Sequence, residues 1–266
     1  MTEISEDLLS PHARSGLLRA MKIVMLLTDR APGRCGVSEI SRETGIPKAV
    51  AHRMLKELTS INFLYFDKRE KHYGLGSLAV VIGLSAMRGV DVNRVAQPHL
   101  EHLTAETLET STLSILEGDS RSYVYQVRSP QEISMSVTLG VRYPLFAGAS
   151  SKVILANFSE EHVDDYLSHI ALTSLTAETI IDEDKLRAEL ALIRSRGFAV
   201  SLGERQAGAA SVAAAIHGAD GQVCGSISVS GPVGRFPSSV QAHYGDLVRE
   251  ATFLVSTELG YRPKRG

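Results

Sequence analysis

The sequence is poor in the residues and runs that mark several large classes of protein. Its 266 residues include two cysteines and no tryptophan, and Cys35 and Cys224 lie far apart in a spacing that matches no metal site. Two distant cysteines argue against a disulfide framework and fit a reducing cytoplasm. The chain has no run of about eighteen apolar residues, and the acidic start MTEISEDLLSPHAR lacks the apolar segment of a secretory signal. We therefore expect a cytoplasmic protein with no membrane contact.

The motifs of several enzyme classes are absent as well. Neither G-x-S-x-G, S-x-x-K nor H-E-x-x-H occurs. Ser150 and Ser151 stand beside Lys152, but neighbours on a helix point about 100° apart, so a Ser–Lys nucleophile pair is not expected. Lys152 is expected to form a salt bridge or to pack its stem. His99 and His102 share a helix face but have no third partner. We therefore expect no enzyme, no metal and no cofactor.

The chain does contain enough apolar sequence for two domains, and its charge is unevenly distributed. Apolar residues make up 44% and charged residues 22% of the sequence, which predicts folded cores rather than disorder. The net charge is −2, but residues 1–90 carry 13 Lys and Arg against 9 Asp and Glu, whereas residues 91–266 carry 15 against 21. A basic first part on an acidic second part suggests that only the first part meets a polyanion.

The basic part has the pattern of a helix-turn-helix. A first helix is predicted over residues 15–29, with Ser15 as its cap. The residues that recur there at helical spacing are Leu17, Met21, Val24, Met25 and Thr28. A second helix is predicted over 37–44; Gly45 ends it, and Pro47 opens a third helix at its first position. A helix, a glycine turn and a proline-started helix are the elements of a helix-turn-helix.

A hairpin is predicted directly after the third helix. In INFLYFDKREKHYGLG (61–76) the side chains alternate from Phe63 to Phe66, and the charged turn 67–71 leads to a return strand around Tyr73. A hairpin in this position makes a winged helix. We therefore expect a flexible N-terminus over 1–14 and a winged helix-turn-helix DNA-binding domain over 15–76.

The rest of the chain predicts a linker helix over 77–90 and a mixed domain over 91–266. The linker residues expected to pack against a second copy of the chain are Leu78, Val81, Ile82, Leu84 and Ser85. Strands are predicted at 111–117, 121–128, 133–139, 198–202, 210–217 and 223–230. Helices are predicted at 92–110 (broken or offset at Pro98), from Ser150, and at 159–168, 182–196 and 239–259. Antiparallel strands with helices around them indicate an α+β, sensor-like domain.

The third helix separates an apolar face from a basic one. At about 100° per residue, one arc holds Lys48, Ala49, His52, Arg53 and Lys56, and the opposite arc is apolar. Arg and Lys reach guanine edges or phosphates, so this face suits DNA. Arg42 and Arg34 would add phosphate contacts, and Lys68, Arg69 and Lys71 at the hairpin tip would reach the minor groove or the backbone. The alternatives are a solvated helix face and a hairpin tip charged for solubility.

The run VSEISRETGIPKAVAHRMLKEL, followed by FLYFDKREKHYGLG, resembles the winged helix of the IclR family of bacterial transcription regulators. The segments AQPHLEHLTAET, RYPLFAGASSKVILA and GSISVSGPVGRF are similar to the same family in the same order, so the resemblance covers about residues 15–260. It implies a GAF-like effector-binding and oligomerisation domain, a homodimer or tetramer, and a pseudo-palindromic double-stranded DNA operator. The alternative is a ligand-sensing protein-interaction module that does not bind DNA.

An effector site is expected where residues 148–151 open a helix. Free backbone N–H groups and the positive end of the helix dipole suit a carboxylate there, and the resemblance implies small organic acids at these positions. The expected effector-binding residues are Met135, Tyr143, Ala149, Ser150, Ser201, Ser211, Ser228 and Ser230. Ser228 and Ser230 lie two apart and so face the same side of a strand. The alternative is that these serines cap helices and satisfy strand edges.

The chain departs from the family pattern at positions that define this pocket. Phe146 replaces the usual histidine before the helix of small residues, Ser201 a frequent Asp, and Ser211 a frequent Cys. The acidic position survives only as Glu204. These changes predict a less charged pocket without a metal. Because no Lys or Arg is clearly placed to neutralise a second carboxylate, the expected ligand is a small mono-acid, aromatic or not, with a hydroxyl or carbonyl group.

Overall fold

A computed structural model describes residues 15–30, 33–89 and 92–263. It divides the chain into two compact units, residues 1–90 and 91–266. The predicted flexible segment 1–14 lies outside the described residues. Within those three ranges, no helix combines the length and the apolar character needed to cross a membrane.

The first unit combines helices with a small antiparallel sheet. Its elements are α1 (Gly16–Arg30), β1 (Cys35–Gly36), α2 (Val37–Thr44), α3 (Lys48–Ser60), β2 (Leu64–Asp67), β3 (His72–Leu75) and α4 (Ser77–Gly89). The predicted helix-turn-helix and hairpin are therefore confirmed. Strand β1 was not predicted, since two residues give no readable alternation; it pairs with β3, and the strand order is β1-β3-β2.

The turn between α2 and α3 is fixed by local hydrogen bonds. Gly45 has a φ of +70° and ends α2 in the left-handed conformation that glycine adopts without strain. The Ser41 hydroxyl donates to the carbonyl oxygen of Ile46 at 2.7 Å. Pro47 is the N-cap of α3 rather than its first residue, one position from the prediction. Its carbonyl accepts the backbone N–H of Val50 at 2.9 Å and so begins the helix.

The buried face of α1 differs from the predicted one. Ile23 and Leu27 are at most 1% exposed, whereas Leu17 and Met21 are exposed. Val24 is buried as expected. The helix carries apolar residues on more than one side, so its periodicity is compatible with more than one buried face. Packing against α2 and α3 determines which face is buried. The core of the first unit comprises Ile23, Leu27, Cys35, Ile40, Ile46, Ala51, Met54, Leu55, Leu64 and Tyr73.

The second unit has the predicted α+β composition. Its elements are α5 (Val92–Thr107), β4 (Thr110–Glu117), β5 (Ser120–Val127), β6 (Arg142–Pro144), α6 (Ala149–Ala156), α7 (Glu160–His169), α8 (Glu183–Arg196), β7 (Ala199–Leu202), β8 (Ala209–His217), β9 (Val223–Pro232) and α9 (Ser238–Glu258). The strands form one antiparallel sheet in the order β6-β5-β4-β9-β8-β7. Apolar cores cover both faces: α6, α7 and α8 pack on one, and α5 and α9 on the other.

Residues 133–139 were predicted as a strand, and this prediction is wrong. The segment forms a loop, and the strand that pairs with β5 is β6, at 142–144. Side chains replace the strand partner: the Gln126 amide accepts from the N–H and donates to the carbonyl of Val137, each at 3.2 Å. The Thr110 hydroxyl donates to the carbonyl of Met135 at 2.6 Å. Alternating apolar residues gave the loop the appearance of a strand.

Helix α5 continues through Pro98, where a break or offset was predicted. Proline removes one backbone N–H donor and clashes with the preceding turn, which usually kinks a helix. Here Ala96, Leu100 and Leu103 are at most 2% exposed and pack against the sheet on both sides of the proline. This burial holds the helix together across the missing hydrogen bond.

Candidate functional site

Helix α3 presents a basic face to solvent. Its inner side chains, Ala51, Met54 and Leu55, are at most 6% exposed and belong to the core of the first unit. The predicted contact residues on the opposite face are all exposed: Lys48, Ala49, His52, Arg53 and Lys56. Because the apolar face anchors the helix, the basic face is held as a rigid row on the surface.

The arginines of this surface have only weak ionic partners. The Nε of Arg53 lies 3.9 Å from Glu57 Oε1, and both side chains are at least 70% exposed. On α2, Arg42 Nη2 lies 3.8 Å from Glu43 Oε1, and the Arg42 side chain is 76% exposed. Exposed pairs of this kind contribute about 0–1 kcal/mol. Both guanidinium groups therefore remain available to a stronger anion.

The tip of the hairpin is a well-ordered turn with basic side chains around it. The Asp67 Oδ1 accepts the backbone N–H groups of Glu70 at 3.2 Å and Arg69 at 2.9 Å. These bonds stabilise the charged carboxylate and lower the pKa of Asp67. Lys68, Arg69 and Lys71 are exposed around this turn, so the structure holds the predicted wing residues at one tip.

Arg34, for which a phosphate contact was predicted, lies beside two carboxylates of the wing. Its Nη1 lies 2.5 Å from Asp67 Oδ2 and 3.4 Å from Glu70 Oε2. Its guanidinium also lies 5.4 Å from the centre of the Tyr65 ring. The pairing of β1 with β3 brings Arg34 beside the carboxylates of the turn. Arg34 is therefore paired within the wing, and its predicted phosphate contact would have to compete with these two carboxylates.

In the second unit, a small cavity of about 30 Å³ lies where the predicted effector site was placed. Of the eight predicted residues, those lining it are Met135, Ala149, Ser201, Ser211 and Ser230. Ser201 faces Ser211, and Ser211 faces Ser230, in the register of three adjacent strands, β7, β8 and β9. Residues 135–137 and 205–206 supply loop walls. The strand pairing thus gathers residues that are far apart in the chain.

The other three predicted residues lie behind the cavity wall. The Ser228 hydroxyl is buried and hydrogen-bonded to the Thr112 hydroxyl at 2.7 Å. Ser150 is 3% exposed, and its carbonyl accepts from the Ser226 hydroxyl at 3.2 Å. Tyr143 packs edge-on against Tyr123, with ring centres 5.6 Å apart. These residues support the cavity and do not line it.

The N-terminus of α6 meets one carboxylate. Gly148, the N-cap, has a φ of +89°, which only glycine adopts readily. Its backbone N–H donates to Glu204 Oε2 at 3.1 Å. The following residue, Ala149, lines the cavity and is 1% exposed. At the start of α6, the N–H of Gly148 is therefore bonded to a protein carboxylate, while Ala149 forms part of the cavity wall.

Lys152 forms the salt bridge that was expected of it. Its Nζ lies 2.6 Å from Glu204 Oε1 and 3.1 Å from Glu189 Oε1, and its side chain is 1% exposed. Arg196 pairs with the same Glu189 at 3.2 Å. Ser151 accepts a hydrogen bond from Arg121 instead of meeting the lysine. Lys152 is thus committed to two carboxylates, and no Ser–Lys nucleophile pair is formed.

Two arginines at the cavity were missed by the sequence analysis, and its expectation of no basic residue there is wrong. Arg121, 1% exposed, donates from Nε to Ser151 Oγ at 2.8 Å, from Nη1 to Ser114 Oγ at 3.1 Å and from Nη2 to Tyr123 OH at 3.1 Å. Its guanidinium lies 4.2 Å from the Tyr123 ring centre. Arg205 lies 4.7 Å from the ring centre of Tyr143. Both arginines line the cavity.

Burial of Arg121 lowers its pKa, and the charge of Arg205 lowers it further. The spacing of Arg121 and Tyr123 in β5 was the available signal, because residues two apart on a strand share a face. That signal does not show which face is inside. The predicted less charged pocket is therefore corrected to a pocket with two cationic groups.

The acids and histidines of the described ranges do not assemble into a metal centre: no three His, Cys, Asp or Glu side chains come together there. Phe146, at the position of the family histidine, belongs to the apolar core against α6. A wider groove of about 520 Å³ lies elsewhere in the second unit, lined by residues of α8, α9 and β8. It contains no predicted site residue.

Comparison with protein families assigns both parts of the chain. The model for the bacterial transcriptional regulator IclR C-terminal domain matches residues 84–257, and the IclR helix-turn-helix model matches residues 16–68. The chain is 30% identical to the HTH-type transcriptional regulator KipR of Bacillus subtilis, over 85% of this chain and 90% of KipR. It is also 30% identical to the HTH-type transcriptional repressor AllR of Klebsiella pneumoniae, over 96% of this chain and 94% of AllR. The crystal structure of the Thermotoga maritima IclR has a TM-score of 0.63 and 29% identity, and the match covers 92% of this chain and 98% of that one.

Proposed function

Because the chain belongs to the IclR family of bacterial transcriptional regulators, we propose that a small organic acid bound in the second unit controls how the first unit binds operator DNA. The helix-turn-helix places the chain among DNA-binding regulators, and the family is not one of enzymes. The observation that carries the DNA part is the exposed basic face of α3, opposite a buried apolar face.

In the proposed complex, α3 lies in the major groove and the wing lies on the neighbouring backbone or minor groove. Lys48, His52 and Arg53 contact base edges, as the recognition helix of such motifs does. Ala49 lies between them and allows close approach, and Lys56 is further along the same face. Arg42 and the wing residues Lys68, Arg69 and Lys71 contact phosphates. The result is a sequence-specific contact positioned by charge.

We further propose that the protein acts as a homodimer or tetramer on a pseudo-palindromic operator. Each copy offers one reading helix, so two copies would prefer half-sites about one helical turn apart, or a multiple of that. Helix α4 exposes Val80, Val81 and Ile82, which are 58%, 59% and 50% exposed in the single chain. The side chains of Leu84 and Ser85, also predicted for this interface, lie outside the described residues. Apolar side chains exposed together favour a contact with a second copy.

Binding to selected DNA tests the DNA part. Duplexes enriched from a random pool by the full-length chain would be titrated by fluorescence anisotropy over a series of salt concentrations. We expect a steep fall in affinity with salt, because each neutralised phosphate releases counterions. Arg53→Ala should cost about 1–3 kcal/mol on the enriched site, and Lys48→Ala with Arg53→Ala should cost more.

A matched control is Lys185→Ala with Arg249→Ala, which removes the same charge from exposed positions of the second unit. This variant should keep operator affinity. If no duplex is enriched, or if the folded Lys48→Ala, Arg53→Ala variant binds normally, the recognition face is wrong. A chain that binds no DNA but still binds small acids would support the alternative, a ligand-sensing protein-interaction module.

A further inference from the structure

The cavity of the second unit is bordered by positive charge that no protein carboxylate balances. Arg121 and Arg205 form no ion pair with any described residue; their contacts are with hydroxyls and aromatic rings. Glu204, the nearest acid in sequence, is engaged by Lys152 and by the Gly148 N–H. These facts leave two uncompensated cations at one small site.

The nearby ion-pair network does not supply the missing negative charge. It joins Lys152 and Arg196 to Glu189 and Glu204, so two positive and two negative groups cancel within it. A buried charge without a partner is costly, and two like charges close together increase that cost. Contacts with Tyr123 and Tyr143 reduce it but do not change the net charge.

Arg121 also keeps hydrogen-bonding capacity for a ligand. A guanidinium carries five N–H donors, and Arg121 uses three of them, on Ser151, Ser114 and Tyr123. Arg205 lies half-buried and makes no hydrogen bond with a described residue. Guanidinium groups suit carboxylate and phosphate oxygens because they donate two parallel N–H bonds.

We propose that this cavity binds a compact dianion, with its negative charges on carboxylate or phosphate oxygens, and that Arg121 and Arg205 are the residues that select for the second charge. The inference rests on the proposed function, because it specifies the effector of that same site. It replaces the mono-acid expected from the sequence. Ser201, Ser211 and Ser230 supply neutral hydrogen-bonding groups beside the two cations.

The dimensions of the site restrict the ligand to a small one. A cavity of about 30 Å³ holds a water molecule or two, whereas drug-sized ligands occupy hundreds of cubic ångströms. A ligand with more than a few atoms must displace a wall. The walls formed by residues 135–137 and 205–206 lie in loops, so they can move without breaking the sheet.

The test compares each dianion with a monoamide of nearly the same shape. Oxalate against oxamate, and malonate against malonamate, would be titrated into the full-length chain by calorimetry at constant ionic strength, with inorganic phosphate as a second kind of dianion. Both carboxyl groups of oxalate and of malonate are ionised at neutral pH, whereas each monoamide carries one. We expect each dianion that binds to do so on the order of tenfold or more tightly than its monoamide, as charge-assisted hydrogen bonds predict.

Variants separate a role in ligand selection from a role in the fold. Arg205→Gln should reduce the preference for the dianion to about twofold or less, while the unliganded protein unfolds at the same or a higher temperature because the repulsion is relieved. Arg121→Lys keeps the charge but loses the planar set of N–H donors, so it should also weaken binding of the dianion. Arg142→Gln is the matched control; this arginine is exposed and paired with Glu117 at 2.8 Å, and its loss should leave the preference intact.

Several outcomes would overturn the inference. Equal affinity of the wild type for a dianion and its monoamide would overturn the inference. The proposed function, control by an organic-acid effector, would still stand. An Arg205→Gln variant that is less stable without ligand and still prefers the dianion would show that Arg205 is structural. Failure of the folded wild type to bind any of these anions would overturn both the inference and the effector part of the proposed function. The DNA-binding part of the proposed function has its own test, and none of these results would overturn it.

Discussion

Replacing Glu204 with glutamine should destabilise the second unit, because it removes the closest negative partner of a fully buried lysine. Lys152 is 1% exposed and lies 2.6 Å from Glu204. Breaking a buried ion pair costs about 3–5 kcal/mol. Lys152 would keep Glu189 at 3.1 Å. The single oxygen of the new amide could accept from Lys152 or from the Gly148 N–H, but its NH2 group would then face the other donor. We therefore expect a loss of about 2–3 kcal/mol, at the lower end of that range or slightly below it.

Differential scanning calorimetry of the full-length chain measures this loss. For a unit of residues 91–266, each kcal/mol moves the unfolding midpoint by about 2–4 °C, so the midpoint should fall by about 4–12 °C. Glu189→Gln is the matched control, since Glu189 is 20% exposed and Glu204 would remain in place. Its effect should be smaller.

A double variant decides whether the buried charge is the cause. Lys152→Met with Glu204→Gln removes both charges, and Glu189 keeps Arg196 at 3.2 Å. Replacing a buried ion pair with neutral groups is often tolerated, so the double variant should be more stable than Glu204→Gln alone. If Glu204→Gln changes stability by less than about 0.5 kcal/mol, or if the two substitutions are simply additive, the reasoning from the buried lysine is refuted.

Two further predictions concern assembly and pH. Val81→Glu with Ile82→Glu should release monomers in sedimentation velocity, because α4 exposes both side chains in the single chain; an unchanged assembly would place the interface elsewhere. Burial lowers the pKa of His217 from its ordinary value of 6.5. The imidazole of His217 is therefore protonated at a higher pH in the unfolded chain than in the folded one. The free energy of unfolding should fall as the pH is lowered from about 6.5 through the pKa of His217 in the folded chain. Urea unfolding across pH should show a flatter profile for His217→Gln, and an equally steep one would assign the dependence to other groups.

The elements with local signals could be predicted from the sequence. Gly45 and Pro47 mark the turn before α3 by their backbone preferences, and the two faces of α3 follow from helical spacing alone. Most strands of the second unit are likewise within a residue or two of their predicted bounds. These features depend on neighbours in the chain, which a single sequence displays.

The features that could not be predicted depend on residues far apart in sequence. Arg34 meets Asp67 because β1 pairs with β3, and a two-residue strand leaves no pattern. Arg121 reaches Ser151, thirty positions later, across the packing of α6 on the sheet. A lone arginine in a strand is usually an outward one, so nothing local marks it as buried. The cationic character of the cavity follows from packing that periodicity does not encode.

The loop found at 133–139, where a strand was predicted, has a consequence for how the shape of the cavity can change. It is joined to the sheet by the side chains of Gln126 and Thr110 and not by a ladder of backbone hydrogen bonds. Met135 and Val137 form part of the cavity wall. Substitutions in this segment can therefore alter the shape of the cavity while the strand pairing keeps its full complement of backbone hydrogen bonds. The lining residues of this segment are therefore separable from the sheet, whereas the lining residues on strands, such as Arg121 and Ser211, serve the cavity and the fold together.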